Sequence, residues 1–174
     1  YGPSFGSSNN PGGRLRLFTG NGDGTFTYAS LYPEALNLGN SFSTDINGDG
    51  SLDVIGNYRG SICSLLGTGN GYFNTRNEYG GIYHTNEIVN VYDLNKDGYK
   101  DIILGNNSGE DISIIKGIGN AEFDVQVLYP TFGENDYTGV AVADFNQDGN
   151  KDIAVSSTDS LDRLSVYYSD LNGV

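Results

Sequence analysis

Asp45-Ile-Asn-Gly-Asp-Gly-Ser-Leu-Asp53, Asp93-Leu-Asn-Lys-Asp-Gly-Tyr-Lys-Asp101 and Asp144-Phe-Asn-Gln-Asp-Gly-Asn-Lys-Asp152 are three copies of one acidic nine-residue segment. The first Asp of each copy follows its predecessor by 48 and then 51 residues. A fixed period near fifty marks a repeat protein, in which each period is one supersecondary unit. Every copy has Asp, Asn, Asp and Asp at positions 1, 3, 5 and 9, and Gly at position 6.

The flanks of this segment read as strands. Before it stand the short alternating runs Ser41–Thr44, Ile88–Tyr92 and Val140–Ala143, and after it the β-branched runs Leu52–Gly56, Asp101–Gly105 and Asp152–Ser156. An aliphatic strand comes next at Ile62–Leu66, Ile112–Ile115 and Leu164–Tyr168, with a further copy at Leu15–Phe18. Tight turns follow at Gly20-Asn-Gly-Asp-Gly-Thr-Phe26, Gly67-Thr-Gly-Asn-Gly-Tyr-Phe73 and Gly117-Ile-Gly-Asn-Ala-Glu-Phe123. Asn-Gly and Asp-Gly tolerate positive φ and favour hairpins. Phe26, Phe73 and Phe123 then open a fourth strand running towards Tyr32-Pro33, Tyr79 and Tyr129-Pro130. A proline there suits an edge strand, where no ladder N–H is lost.

No sustained helical period occurs, so the fold class is all-β. Four short antiparallel strands per period predict a β-propeller of four-stranded blades. Residues 1–174 then form one propeller segment, with repeats at 1–40 (partial), 41–87, 88–139 and 140–174 (partial). About 3.5 blades do not close a seven-blade ring, which takes roughly 350 residues. Further blades from a longer chain, or from another copy, are therefore expected.

The acidic segment has the chemistry of a cation loop. A hard divalent ion takes six to eight oxygens, and alternate residues of a tightly wound loop direct side chains to one centre. The candidate side-chain ligands are Asp45, Asn47, Asp49 and Asp53, then Asp93, Asn95, Asp97 and Asp101, then Asp144, Asn146, Asp148 and Asp152. Ser51, Tyr99 and Asn150 at position 7 would offer their carbonyls, so their side chains are free to vary. Three Ca²⁺ sites are predicted; Mg²⁺ fits less well because it holds to strict octahedral geometry and keeps its waters. An EF-hand needs Glu at position 12 and flanking helices, whereas position 12 here is Gly56, Leu104 or Val155. A nine-residue calcium repeat is excluded by the period near fifty.

The loop, the Asp-Ile/Val-Ile/Ala strand after it and the Gly-Asn-Gly-Asp-Gly-Thr-Phe turn resemble the FG-GAP/VCBS repeat family, to which the integrin α-subunit propeller belongs. The resemblance covers nearly the whole chain. It implies a β-propeller, Ca²⁺ in blade loops, and the side-chain ligands named above. The literal Gly-Ala-Pro element is missing and Phe132-Gly133 is a poor remnant of it, which places the chain closer to the VCBS branch and leaves integrin-like partners aside.

Composition narrows the function. The net charge is −13, and nine of the 22 acidic residues lie in the three segments. Three bound Ca²⁺ would leave about −7, an ordinary surface charge. An acidic chain without a basic stripe does not suit nucleic acid. No apolar run is long enough to enter a bilayer. Cys63 is the only cysteine, which excludes an intrachain disulfide, and its apolar surroundings predict a buried small hydrophobe. Calcium loops of modest affinity fill where Ca²⁺ is near millimolar, which predicts a secreted or cell-surface protein.

No enzyme is expected. His84 is the only histidine, in a loop, without a Gly-x-Ser-x-Gly elbow. Thirteen Tyr and eight Phe are mainly packing residues, but exposed tyrosines such as Tyr58, Tyr83 and Tyr137 would stack on sugars or proteins. Asn106-Asn107-Ser108 is a glycosylation sequon. The expected function is an extracellular calcium-binding module for adhesion or scaffolding, with a glycan or protein ligand. The alternatives are a non-catalytic part of a secreted carbohydrate-active enzyme and a structural subunit of an extracellular assembly.

Overall fold

A computed structural model describes residues 15–32, 38–79, 86–106, 111–130, 137–157 and 164–169. Among these residues the regular structure is thirteen strands and no helix. The chain divides into two compact units, Tyr1–Gly39 and Asn40–Val174.

In the first unit, β1 (Arg16–Gly20) and β2 (Phe26–Leu31) form an antiparallel hairpin. Its turn is closed by Asp23, whose carboxylate accepts the Thr25 N–H at 2.9 Å and the Thr25 hydroxyl at 2.6 Å. That hydroxyl, and then the N–H, hold the Asp23 carboxyl below its ordinary value.

The second unit holds three antiparallel sheets. The first is β3 (Ser41–Thr44), β4 (Asp53–Tyr58), β5 (Ser61–Gly67) and β6 (Phe73–Tyr79), paired in chain order. The second is β7 (Asn86–Tyr92), β8 (Asp101–Asn106), β9 (Asp111–Gly119) and β10 (Glu122–Pro130), again in chain order. The third is β11 (Tyr137–Ala143), β12 (Asp152–Ser157) and β13 (Leu164–Tyr167). Pro130 ends an edge strand, where its missing N–H costs no ladder bond. The strands between acidic segment and glycine turn lie where their residue patterns predicted, with ends that agree to within four residues.

The middle sheet is buried on both faces. Ile102, Leu104 and Ile115 pack with Ile46, Ile55 and Ile62 of the first sheet. Ile103, Ile112 and Ile114 pack with Ile153 and Val155 of the third. Side chains alternate faces along a strand, so consecutive apolar residues serve two different cores. Two tyrosines tie the sheets at their rims: Tyr79 donates its hydroxyl to the Ala121 carbonyl, and Tyr167 donates to that of Pro130. Tyr79 also meets Phe123 edge-to-face at 4.8 Å.

Ala121 occupies a left-handed position, φ 58°, where glycine is usual. Its methyl is buried in the first core, which offsets the strain of about 1 kcal/mol.

Candidate metal centres

Each acidic segment joins the first and second strands of its sheet: β3 to β4, β7 to β8, β11 to β12. The three loops share one hydrogen-bond network. At position 1, Asp45 accepts the N–H of Asp49 at 3.2 Å and of Gly50 at 2.9 Å. Asp93 accepts from Asp97 and Gly98 at 3.2 and 3.0 Å, and Asp144 from Asp148 and Gly149 at 3.1 and 2.9 Å. At position 3, the amide oxygens of Asn47, Asn95 and Asn146 accept the position-5 N–H at 3.0–3.1 Å. Asn47, Asn95 and Asn146 also donate an amide N–H to the position-5 carboxylate, and Asp49, Asp97 and Asp148 accept the N–H of Ser51, Tyr99 and Asn150 at 2.7–2.8 Å.

The winding takes two left-handed residues per loop. Position 6 is Gly50, Gly98 or Gly149, at φ 85–93°. Position 4 is Gly48, Lys96 or Gln147, with φ 79°, 61° and 63°. The sequence shows the first requirement in three glycines and hides the second, because the residue type at position 4 varies.

Position 9 has another task. Asp53, Asp101 and Asp152 are buried, and each carboxylate spans two backbone donors. Oδ2 accepts the position-2 N–H: Ile46 at 2.8 Å, Leu94 at 2.7 Å, Phe145 at 2.9 Å. Oδ1 accepts an N–H at the far end of the third strand: Gly67 at 2.7 Å, Gly117 at 3.0 Å, Ser169 at 3.1 Å. These residues clamp loop to sheet, a role the residue pattern alone did not reveal. The signal was the glycine at 67 and 117, recurring at one place in two repeats.

The electrostatics follow the geometry. Asp49 is held below the usual carboxylate value, first by the Asn47 amide and then by the Ser51 N–H. Asp148 is lowered chiefly by the Asn150 N–H. Burial pushes Asp101 up, against the N–H groups of Leu94 and Gly117.

Among the described residues, no three His, Cys, Asp or Glu side chains stand close enough to cage a metal by themselves. What each loop assembles is two carboxylates and one amide at positions 1, 3 and 5. All are hard oxygen donors, and a carboxylate oxygen that accepts one N–H keeps a second lone pair. With the position-7 carbonyl nearby in the chain, this donor set fits a calcium-sized ion.

Other expected residues fall differently. Tyr58 is not an exposed loop residue: it ends β4, is buried, and lies beneath the Arg76 guanidinium at 4.5 Å. Cys63 is buried and forms no disulfide, as its neighbours implied. His84, Tyr83, the Tyr137 side chain, Asn107 and Ser108 lie outside the described residues. Lys96, unremarked in the sequence, reaches from the second loop to the Asn150 side chain of the third at 2.8 Å.

Repeated antiparallel sheets, each with an Asx-rich loop between its first two strands, define a class of all-β repeat proteins. The family model of the FG-GAP-like repeat matches residues 45–104 and again residues 93–155, together more than half of the chain. The chain belongs to that family. No curated protein and no solved structure matches it.

Proposed function

We propose that this chain is an extracellular β-propeller module of the VCBS type, stabilised by calcium in its three acidic loops and serving as a binding or scaffold domain rather than an enzyme. The carrying observation is the network that recurs in all three loops, from Asp45, Asn47 and Asp49 to Asp144, Asn146 and Asp148. The same three hard oxygen donors stand in one arrangement in each loop, and each keeps lone pairs that an ion can use.

In this reading the ion is held by positions 1, 3 and 5 and the carbonyls of Ser51, Tyr99 and Asn150. Asp53, Asp101 and Asp152 complete the set from below while keeping their grip on the sheet. A divalent ion also relieves the like charge within each loop and the burial penalty on Asp101. Localisation outside the cell follows from the millimolar Ca²⁺ that such loops need. The ligand is assigned to the glycan class, for the reason developed below.

Thermal melting in Ca²⁺, in Mg²⁺ and in chelator tests the reading. At free Ca²⁺ a hundredfold above Kd, each site adds about 2.7 kcal/mol. The expected result is a large upward shift with Ca²⁺ and a much smaller one with Mg²⁺. Equal melting in all three solutions would remove the calcium assignment.

A further inference from the structure

Position 7 of the acidic loop faces the hairpin that joins the third and fourth strands of the same sheet, and two repeats treat this meeting differently. In the second sheet, position 7 is Tyr99. A Cβ built on Gly119 would lie 3.0 Å from Cε1 and 3.1 Å from Cζ of Tyr99, so the phenol ring rests on the bare Cα of Gly119. In the first sheet the corresponding pair is Ser51 and Gly69, with Ser51 Oγ 3.3 Å from that point. The space that the ring takes up is left open. A cleft of 430 Å³ lies there, walled by Ser43, Ser51, Leu52, Tyr72 and the backbone of Gly69 and Gly71.

The second repeat thus displays what such a cleft accommodates: one six-membered ring bearing a hydroxyl. The first cleft adds features that choose among rings. Tyr72 is 58% exposed and Leu52 67%, so one flat apolar face is on offer. Ser43, Ser51, glycine peptide groups and the buried Asp53 are among the rest of its lining, and these polar groups want hydrogen bonds that a plain phenyl ring does not return. None of the lining residues is Lys, Arg or His, and the chain carries −13, so an anionic ring is disfavoured.

We propose that the cleft between the first acidic loop and the Gly67–Phe73 hairpin binds one neutral pyranose of a glycan, with its apolar face on Tyr72. This rests on the binding-module reading above and gives it a place and a ligand class. The serine at position 7 is the specificity element, since a tyrosine there closes the site.

The test is an amide-resolved NMR titration of the full chain in Ca²⁺. The probes are the methyl glycosides of glucose, galactose, mannose and N-acetylglucosamine, with p-cresol as the aromatic competitor. At least one glycoside is expected to move the amides of Leu52, Gly69, Gly71 and Tyr72. Ser51→Tyr should weaken that binding at least tenfold, and Tyr72→Ala about threefold to tenfold. Tyr99→Ser should open the second cleft and bring new shifts at Lys100 and Gly119. Should Ser51→Tyr not fold, Tyr72→Ala carries the test. No shift with any glycoside, or a shift indifferent to both Ser51→Tyr and Tyr72→Ala, overturns the proposal. So does a response to p-cresol alone, which would make the cleft a slot for a protein side chain. A glycan array bound equally by wild type and Ser51→Tyr would overturn the cleft while leaving the binding module standing.

Discussion

Asp49 and Asp53 are four residues apart and look interchangeable on paper. Asp49 is exposed and bonds only within its loop, whereas Asp53 is buried and satisfies one N–H of the loop and one of β5. Asp53→Ala leaves both donors unpaired, for a loss of about 2–5 kcal/mol already in chelator, and in Ca²⁺ it forfeits its site's share as well. Asp49→Ala should lose little in chelator but forfeit one site's share of the calcium stabilisation. Denaturant unfolding of both variants, with and without Ca²⁺, checks the contrast; equal behaviour would mean that the two carboxylates share one role. The sequence made all four oxygen positions legible as a set. It did not separate them, because one of the two N–H groups that converge on each position-9 carboxylate comes from a residue 14–17 positions away.

At the scale of elements, the glycines on which the position-9 carboxylates close matter most. A Cβ on Gly67 would fall 2.1 Å from the Leu52 carbonyl oxygen, and one on Gly117 would fall 2.3 Å from that of Lys100. Both neighbours are backbone, so neither gives way. Gly67→Ala and Gly117→Ala are expected to fail to fold or to lose more than about 3 kcal/mol. Gly48→Ala, in open space at φ 79°, should lose only about 1 kcal/mol. Thermal melts of the three variants in chelator provide the ranking, and a mild Gly67→Ala would count against the close approach. Strand existence was legible from short apolar runs between Gly, Asn and Asp. Strand length was less so: β9 runs to Gly119, past the Ile115 at which its aliphatic run stops, because the hairpin ladder continues through Gly117 and Gly119.

For the whole second unit, coupling between sheets decides stability. Ile102 and Ile103 are adjacent in sequence yet belong to different cores. Ile102→Ala and Ile103→Ala should each lose about 2–5 kcal/mol. Their effects should add to within about 0.5 kcal/mol, since the two side chains share no core. Urea unfolding of the single and double variants checks this, and strong non-additivity would mean that the cores communicate through the strand. The Lys96–Asn150 bridge is exposed, so Lys96→Ala should shift stability by less than about 1 kcal/mol. The two-sided burial of the middle sheet was readable in Ile102-Ile-Leu104 as a continuous apolar run. The identity of the partner sheets was not, because pairing between repeats leaves no local signature.

The residue after each loop's first aspartate shows how the sheets are joined. Ile46 and Leu94 are buried at 4% exposure, Ile46 in the core shared with the second sheet and Leu94 in that shared with the third. Phe145, at the same place in the third sheet, is 46% exposed, and among the described residues no further sheet covers it. The same plug position is reused at both seams. A gene that duplicates fifty codons in frame therefore inherits a ready-made joint at both ends, so such a chain lengthens by copying rather than by inventing new contacts.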